Sequence, residues 1–549
     1  MDGFDLVLKN GRLLDGCGNP WFRADLAMRS GRIAAIGQPG SLHGRQTLDV
    51  ADRYISPGFI DIHTHSDLTL LVNRRAESAV RQGVTTQLVG NCGMSPAPLD
   101  PQRVAEMQSY WGEISTQPQV TWAWRTFNDY LETLGSGGTS INVASLAGHA
   151  ALRLAVLGYE DRPPTQPELA RMGSLLKEAM QSGAFGLSTG LVYPPGCFAG
   201  TEEIIALAKV AAAHGGFYAS HIRGERETIL EAVAEAIHIG HSAGLPVQIS
   251  HNAPKFGATQ DARANLALVD AARRQGQDVT VDNDVHTDLA PALVHALPQH
   301  LQDLPDEHLK QLLQEEEFRR QVREEIILDR KPAFGPVGLL KHAQWQRITL
   351  LHAPQSPDVI GRSISVLAAQ GGQEPFDVYF DLIVQNGSAV TAIFDYIDES
   401  NIRLLLQHPA VMICSDGDAL ATDGFLNDPP PYSPCSYGEF PSVLERYVRD
   451  QPVLSLPEAI RKMTSFPAQR LGLFDRGRLM PGCWADVVIF DLDRIHDRAT
   501  NLFPHTYPFE NYPHQYPQGI DHVFVNGIQV VADEEHTGAL SGQLLRHAV

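Results

Sequence analysis

Two histidines separated by one residue are the clearest chemical signal in the sequence. They are His63 and His65, in the segment ISPGFIDIHTHSD at 55–67. Side chains of an extended strand alternate between its two faces, so these two imidazoles point to the same side and can share one metal ion. The alternative interpretation is that the two histidines are polar surface residues on an exposed edge strand, which would have the same spacing. The apolar Phe59 and Ile60 just before the pair favour a buried strand and therefore a metal site.

Three further candidate ligands stand at the ends of predicted strands. His221 ends GFYASH and His251 ends PVQISH, so two separate strands close with the same Ser-His pair. One such ending is typical of a core histidine, whereas two in parallel positions favour metal ligands. Cys92 follows the run TTQLVG and has a glycine on each side of the strand end. A thiolate binds zinc strongly, but a lone cysteine is also commonly a small buried apolar residue, and both interpretations stay open here.

Asp416 ends the predicted eighth strand, in the segment Ile-Cys-Ser-Asp-Gly. A carboxylate that faces a metal ion can accept a proton from a metal-bound water and pass it to a leaving group. An aspartate before a glycine is also typical of a turn in which the side chain bonds the backbone. Asp418 lies two residues further on and offers the same chemistry.

The elements that must position these residues alternate along the middle of the chain. Short apolar runs predict buried strands at 85–90, 140–148, 183–190, 216–221, 246–251, 278–282 and 410–416. Helical patterns lie between them, as at 202–215 and 227–244, each ending near a glycine. Buried parallel strands separated by helices predict an α/β fold, a TIM-like (β/α)8 barrel over 57–473. The active site of such a barrel lies at the carboxyl ends of its strands.

The two chain ends show another pattern, in which apolar and polar residues alternate between turn signals. Asn10-Gly11 and Ser30-Gly31 stand where hairpin turns are expected. The end of the chain repeats this alternation. We therefore predict one small β-sandwich domain assembled from both termini, 1–56 and 474–549.

Two segments do not fit the alternation of the barrel. Residues 300–345 are charged and helical in pattern, which predicts a small helical insertion on a barrel loop, at about 290–345, with solvated helix faces. The segment 504–519 is rich in proline, histidine and tyrosine and predicts an ordered loop.

Composition limits the classes of partner. The chain has 549 residues, and 43 Lys and Arg against 64 Asp and Glu give a formal net charge of −21. Such an acidic balance argues against nucleic acid and anionic membranes, which require clustered positive charge. The glycine cluster at 135–138 lacks the G-x-G-x-x-G spacing, and no GK[ST] sequence is present, so nucleotide binding is not indicated.

The sequence also carries expectations about location and assembly. The first five residues lack the basic start of a secretory signal, and no apolar run reaches the length of about 18 residues that a membrane helix needs, so we expect a cytoplasmic protein. Six scattered cysteines make no disulfide framework. The charged helices at 202–244 and 303–331 allow a homo-oligomer, although a solvated face is the simpler interpretation.

Several motifs in combination resemble the amidohydrolase superfamily. SPGFIDIHTHSD near the start and PGCWADVVIFD near the end are similar to its motifs. Within it, GVTTQLVGNCGMSPAP, GLSTGLVYPPG, SHIRGE and MTSFPAQRLGL resemble the D-aminoacylase branch, the N-acyl-D-amino-acid deacylases, and the match runs over nearly the whole chain. The resemblance implies a metal-bearing barrel with a composite β-sandwich. It also implies Zn²⁺ as the cofactor, with a bridging cysteine where many relatives use a carboxylated lysine.

The resemblance further implies how the ligands are shared and favours Asp416 over Asp418 as the catalytic residue. By this resemblance, Cys92, His221 and His251 would hold one ion tightly. A second ion, held more loosely, would lie between His63, His65, Cys92 and Asp416. The sequence does not distinguish one ion per chain from two.

Substrate-binding residues match the family less closely. Tyr193 matches a family tyrosine that contacts substrate. Arg223 stands two residues after His221, where it can bind a substrate carboxylate or pair with Glu225.

Three positions depart from the family pattern. The lysine that usually follows the second Ser-His pair is Ala253 here, and Lys255 stands two places late. Cys435 replaces an arginine that helps to clamp the carboxylate. Tyrosines that usually follow the strand VTVD are absent from DNDVH at 282–286, where His286 is a further candidate for contact with substrate.

These departures shape the predicted function. Each charge-assisted hydrogen bond contributes about 1.5–3 kcal/mol, so a plain N-acetyl-D-amino acid should bind poorly. The sequence predicts a zinc-dependent hydrolase of a small-molecule amide that is larger, less acidic or aromatic. Cleavage of a cyclic amide, lactone or ester on the same metal site is the alternative. A catalytically inactive barrel that acts as a binding protein is a second alternative, disfavoured because all six ligand residues are present.

Overall fold

A closed barrel of parallel strands forms the centre of the molecule. The computed structural model describes residues 3–302, 304–328, 336–422, 424–427, 434–499 and 515–548. In this part of the chain eight barrel strands follow one another in sequence order: Phe59–Asp61, Val84–Val89, Asn142–Ser145 continued by Ala147–Gly148, Gly186–Gly190, Phe217–His221, Val247–Ile249, Val279–Asn283 and Val411–Ile413. Neighbouring strands pair in parallel. The predicted (β/α)8 barrel is confirmed.

The barrel closes between its first and eighth strands. The His65 N–H donates to the Gly417 carbonyl at 2.9 Å, and the Asp416 N–H donates to the His63 carbonyl at 3.0 Å. These bonds lie just beyond the regular ends of the two strands. Closure therefore places the His-x-His segment directly beside Asp416.

Helices cover the outside of the barrel and leave the strands buried on both faces. Several helices start at capping side chains: Thr165 and Thr126 both form capping boxes. The helices between or beside barrel strands are Thr69–Val72, Glu77–Val80, Val104–Trp111, Phe127–Gly135, His149–Val156, Gln166–Gln181, Thr201–Ala212, Ile229–Ala243, Ala262–Arg274, Glu399–Gln407, Cys435–Ser442, Leu456–Met463 and Ser465–Arg470. No described helix combines the length and the apolar character that a bilayer crossing needs.

Both chain ends contribute strands to a single sheet beside the barrel. Its described strands are Phe4–Leu13, Phe22–Arg29, Arg32–Gly37, Gly44–Asp49, Tyr54–Pro57, Val487–Phe490, Ile520–Val525, Ile528–Ala532 and Glu535–His536. Antiparallel pairing of Tyr54–Pro57 with Val487–Phe490 joins the two ends of the chain. Leu8, Leu26 and Val487 are among the residues of its apolar core.

One of the two predicted hairpin turns in this sheet is wrong. Ser30-Gly31 connects Phe22–Arg29 to Arg32–Gly37 as expected. Asn10 and Gly11 lie instead inside the first strand, at a register shift between Leu8 and Gly11, and Asn10 has φ 63°. Asn-Gly accepts the positive φ of a bulge as readily as that of a hairpin, so the dipeptide alone does not distinguish them.

A segment between the seventh and eighth barrel strands forms its own apolar core. Its strands Asp288–Leu289, Ile348–His352 and Thr391–Asp395 make an antiparallel sheet, and its helices are Gln299–Gln302, Asp306–Leu312, Glu316–Leu328, Val337–Lys341, Ile364–Gly371 and Pro375–Asn386. This core continues to Phe394, beyond the range of about 290–345 inferred from the sequence. Glu316–Leu328 buries only Val322 and Ile326, which explains why its sequence looks solvated.

Candidate metal centre

Four side chains meet where the barrel closes. His63 Nε2 lies 3.1 Å from Cys92 Sγ and 3.2 Å from Asp416 Oδ1, and His65 Nε2 lies 3.1 Å from the same Asp416 oxygen. Ligand atoms of these four residues all lie within 4.8 Å of one another. His63 is fully buried, whereas about a third of the Asp416 side chain is exposed (33%), so the cluster opens toward solvent on the Asp416 side.

A second group of three shares Cys92 with the first. Cys92 Sγ lies 3.7 Å from His221 Nδ1 and 3.6 Å from His251 Nε2, and the two imidazole rings stand edge to face with centroids 4.3 Å apart. All three residues are buried. The thiol thus lies between two sets of possible ligands, and the structure brings together all six residues that the sequence predicted as metal ligands.

Three of these residues have backbone conformations that L-residues rarely adopt. Cys92 has φ 51°, His251 has φ 30° and Asp416 has φ 52°. Each follows the end of a barrel strand. Such strain costs about 1–3 kcal/mol per residue and persists where the surrounding structure and the function require it. Gly93 permits this close packing, because a Cβ there would lie 2.8 Å from the Gly190 nitrogen.

Asp282 supports the cluster from the seventh barrel strand. Its Oδ1 lies 3.2 Å from His63 Nδ1 and accepts a hydrogen bond from the His251 N–H at 2.9 Å. Its Oδ2 accepts a hydrogen bond from Gln248 Nε2 at 2.7 Å. This carboxylate fixes the His63 ring so that Nε2 faces the cluster. This role of Asp282 was not predicted from the sequence.

Glu225 supports the two histidines of the second group. Its carboxylate oxygens lie 3.6 Å from His221 Nε2 and 3.4 Å from His251 Nδ1. One carboxylate thus faces the outer nitrogen of both rings, while the other ring nitrogens face Cys92. From the sequence, Glu225 was predicted only as a possible partner of Arg223. Its position four residues after His221 was the one indication that it could support this histidine.

The protein's own charges set the protonation of the cluster. Burial lowers the pKa of His63, but Cys92, Asp282 and Asp416 together raise it to about 10. Burial raises the pKa of the Cys92 thiol, yet His63, His221 and His251 hold it well below its usual range. For Asp416, burial is likewise outweighed by His63 and His251, so its pKa is lowered. The anionic thiolate and carboxylate therefore attract positive charge to this point.

The donor set fits a zinc ion. Thiolate sulfur, imidazole nitrogen and carboxylate oxygen are the ligands that zinc takes in proteins. Asp282 lies beside Nδ1 of His63, and Glu225 lies beside the ring nitrogens of His221 and His251 that face away from Cys92. Carboxylates in these positions orient histidines that bind a metal. A divalent cation would take the place of the protons that His63 and His251, whose pKa values are raised, otherwise carry.

Two of the four predicted substrate-binding residues lie beside the cluster. The Tyr193 hydroxyl donates to the Cys92 carbonyl at 2.7 Å, and its ring meets the His221 ring with centroids 5.3 Å apart. Lys255 Nζ lies 3.9 Å from Glu225 Oε1 and 5.0 Å from the centroid of the Tyr396 ring.

The contacts of Arg223 lie elsewhere. Its guanidinium pairs with Glu235, with Nε 2.9 Å from Oε2, and donates to the Ala199 carbonyl at 2.9 Å. The ion pair with Glu225 that the sequence suggested is replaced by this one, because the helix Ile229–Ala243 brings Glu235 alongside.

His286 is also engaged by other groups. Its Nδ1 lies 2.7 Å from Glu439 Oε2, and its Nε2 lies 3.5 Å from Asp497 Oδ2. Burial raises the pKa of Glu439 to about 8 even though His286 opposes this shift. The structure therefore places His286 in a carboxylate cluster and not beside the metal ligands.

Two sequence features lie partly outside the described residues. Cys435, which stands where relatives have an arginine, is buried at the start of Cys435–Ser442, while the residues 428–433 before it are not described. Of the predicted loop at 504–519, residues 504–514 lie outside the described part of the chain.

Comparison with known proteins defines the class. The model of the amidohydrolase family matches residues 46–531. The chain therefore belongs to the amidohydrolase family. Within it the chain groups with the D-aminoacylase branch: it is 35% identical to a D-aminoacylase from Alcaligenes xylosoxydans xylosoxydans, over 99% of this chain and 97% of that protein.

Solved structures agree with this placement. A crystal structure of N-acyl-D-glutamate deacylase from Bordetella bronchiseptica, complexed with zinc and a phosphonate inhibitor that mimics the tetrahedral intermediate, matches with a TM-score of 0.75 and 32% identity. The match covers 99% of this chain and 100% of that chain. A D-aminoacylase structure described with a binuclear metal centre matches with a TM-score of 0.74 and 32% identity, at the same coverage.

Proposed function

We propose that this protein is a zinc-dependent amidohydrolase that cleaves an N-acyl amide bond of a small molecule. The observation that carries the proposal is the convergence of six side chains from five barrel strands on one point: His63, His65, Cys92, His221, His251 and Asp416. The likeness to D-aminoacylase and to a zinc-bound deacylase supports the choice of bond and metal. The full set of ligand residues argues against an inactive barrel that only binds.

The residues divide into two sets of ligands. Cys92, His221 and His251 would hold one ion in the buried interior, and His63, His65, Cys92 and Asp416 a second ion nearer to solvent. Zinc supplies a Lewis acid that polarises the amide carbonyl and acidifies the attacking water. Because His65 is 21% and Asp416 33% exposed, an ion bound by the second set would be the more readily lost.

Asp416 is the catalytic residue of this proposal. Its carboxylate can take a proton from the attacking water. Its partial exposure lets it face the substrate, while His63 and His65 hold Oδ1 in place. The same carboxyl then acts as a general acid and returns the proton to the nitrogen of the leaving amine.

Residues beside the metal ligands shape the substrate site. Tyr193 lies against His221 and Cys92 on one side, and Lys255 lies beside Glu225 on the other. Since Glu235 already binds the Arg223 guanidinium, Lys255 is the remaining cation of the predicted clamp. A clamp reduced in this way disfavours substrates that depend on tight binding of a carboxylate.

Metal removal and a panel of amides test the proposal. The purified protein should contain one or two zinc ions per chain, lose activity with a chelator and regain it with added Zn²⁺. The panel compares N-acyl-D-amino acids and their L-enantiomers with neutral amides, cyclic amides and lactones. Asp416→Asn should lower turnover by a factor of about 10²–10⁴ and keep the zinc of the buried set. Absence of bound metal together with inactivity on every compound would refute the proposal.

Asp278→Asn is the matched control for Asp416→Asn, since Asp278 is largely exposed and pairs with Arg470 at the opposite end of the barrel. It should retain both zinc and turnover. A cytoplasmic location and a homo-oligomeric state stay predictions from the sequence.

A further inference from the structure

Serine hydroxyls hold the chain at three successive residues, 418–420, just after Asp416. Each of these residues donates its backbone N–H to one serine oxygen: Asp418 to Ser436 at 3.0 Å, Ala419 to Ser66 at 2.8 Å and Leu420 to Ser78 at 2.8 Å. We call Ser66, Ser78 and Ser436 the serine triplet. All three are buried, so these bonds are shielded from competing water.

The members of the serine triplet come from three separate parts of the fold. Ser66 directly follows His65, Ser78 lies in the helix Glu77–Val80, and Ser436 lies in the helix Cys435–Ser442. The loop 417–420 is therefore fixed from three directions. A buried N–H that loses its acceptor is costly, so the loop is stable in this position only while the hydroxyls are present.

Ser78 makes the most extensive contact with the loop. Its hydroxyl accepts from Leu420 and donates to the Asp418 carbonyl at 3.2 Å, and its own N–H donates to the Leu420 carbonyl at 3.0 Å. The buried Gln82 side chain joins Ser78 to Ser436, because its Nε2 donates to the carbonyls of both, at 3.0 Å and 2.8 Å. Two of the three serines thus form one connected unit.

The backbone of Asp416 depends on this loop. Its φ of 52° is strained for an L-residue and persists only where the surroundings hold it. Before it, the Asp416 N–H donates to the His63 carbonyl at 3.0 Å. After it, Gly417 packs so closely on the serine triplet that a Cβ there would lie 2.9 Å from Ser436 Oγ. A shift of the loop would therefore move the carboxylate that lies 3.1 Å from His65 Nε2.

We propose that the serine triplet positions Asp416: it holds the loop 417–420 so that the strained residue keeps its carboxylate beside His63 and His65. The inference rests on the proposed role of Asp416 as catalytic residue and metal ligand. The three serines act through Asp416 and do not touch substrate. Their removal should therefore affect turnover and the ion nearer to solvent, and leave the buried ion and substrate binding unchanged.

Ser78→Ala tests the proposal with kinetics on the best amide substrate of the panel. Because one buried N–H loses its acceptor, kcat should fall by about tenfold to a hundredfold, with KM unchanged. Ser465→Ala is the matched control, since the buried Ser465 hydroxyl donates to the Gly16 carbonyl and joins the barrel to the terminal sheet. It should lower the urea midpoint as Ser78→Ala does, but keep kcat. If Ser78→Ala does not fold, Ser436→Ala carries the same test.

A double variant distinguishes positioning from a general loss of stability. Residues that act through one group are not additive, so Ser78→Ala should cause no further loss of turnover in a protein that already carries Asp416→Asn. Zinc retention gives a readout without turnover. In graded chelator, Ser78→Ala should release the ion of His63, His65, Cys92 and Asp416 earlier than the wild type and Ser465→Ala do.

The outcomes separate this inference from the proposed function. A wild-type protein that cleaves no amide refutes the proposed function, and earlier release of zinc from Ser78→Ala then still supports the positioning of Asp416. The inference is overturned when turnover and zinc retention of Ser78→Ala both equal those of Ser465→Ala. A loss of turnover that adds in full to that of Asp416→Asn overturns it as well.

Discussion

The carboxylate of Asp282 on the seventh barrel strand lies 3.2 Å from Nδ1 of His63, which follows the first strand; only the eighth strand separates the two. The same oxygen accepts the backbone N–H of His251. One carboxylate thus orients a ligand from each of the two proposed metal positions and stabilises the strained backbone of His251.

Asp282→Asn should weaken zinc binding by a factor of about 10–100, because the amide cannot replace a carboxylate that serves two ligands. Zinc content after dialysis against graded chelator, measured by elemental analysis, is the readout. Asp278→Asn, just before the same strand, is the control. Unchanged zinc retention in Asp282→Asn would show that Asp282 does not position these ligands.

Metal stoichiometry should differ between two ligand variants. Cys92→Ala removes the atom common to both sets and should leave less than one zinc per chain, whereas His65→Ala should keep the ion of Cys92, His221 and His251. Cys17→Ala, which removes an exposed thiol, serves as the control. Equal loss of metal in Cys92→Ala and His65→Ala would contradict a shared cysteine between two sites.

Lys255 and Arg223 should behave differently when they are replaced. Lys255→Met should raise KM for carboxylate-bearing substrates about tenfold, since it removes the remaining cation of the predicted clamp. Arg223→Ala should instead lower the free energy of unfolding by about 1–3 kcal/mol, because it leaves Glu235 unpaired, with little change in KM. Steady-state kinetics and urea denaturation measure the two effects. A large KM change in Arg223→Ala alone would reverse this assignment.

A buried lysine outside the candidate metal centre predicts a pH dependence of stability. Lys462 donates to the Val411 carbonyl at 2.8 Å, and burial lowers its pKa to about 7. Its folded pKa lies below the unfolded value, so the unfolded state binds more protons between these two values, and stability rises with pH over that window. The slope approaches about 1.4 kcal/mol per pH unit.

Urea denaturation of the wild-type protein and Lys462→Met from pH 6 to 10 tests this dependence. The difference in unfolding free energy should move in favour of the wild type as the pH rises above about 7. A difference that stays constant over the range would mean that Lys462 remains charged in the folded protein.

Residue types and their spacing were sufficient to predict which residues are able to bind a metal and on which side of a strand they lie. Alternation with a period of two put His63 and His65 on one face, and repeated strand ends identified His221 and His251. These inferences succeed because they depend only on local geometry. Local signals failed where two structures share them, as at Asn10-Gly11, where a bulge and a hairpin turn use the same dipeptide.

Which of these residues come into contact depends on the folding of the whole chain. His63 and Asp282 are 219 residues apart, and His65 and Asp416 are 351 residues apart. Closure of the barrel brings these residues together in space, and no local sequence pattern predicts which strands become neighbours. The same holds for Arg223, whose partner is Glu235 on the following helix. It holds also for the apolar core between the seventh and eighth barrel strands, where Thr391–Asp395 completes a sheet with Asp288–Leu289 and Ile348–His352. Side-chain direction is a property of the strand, but contact is a property of the closed fold.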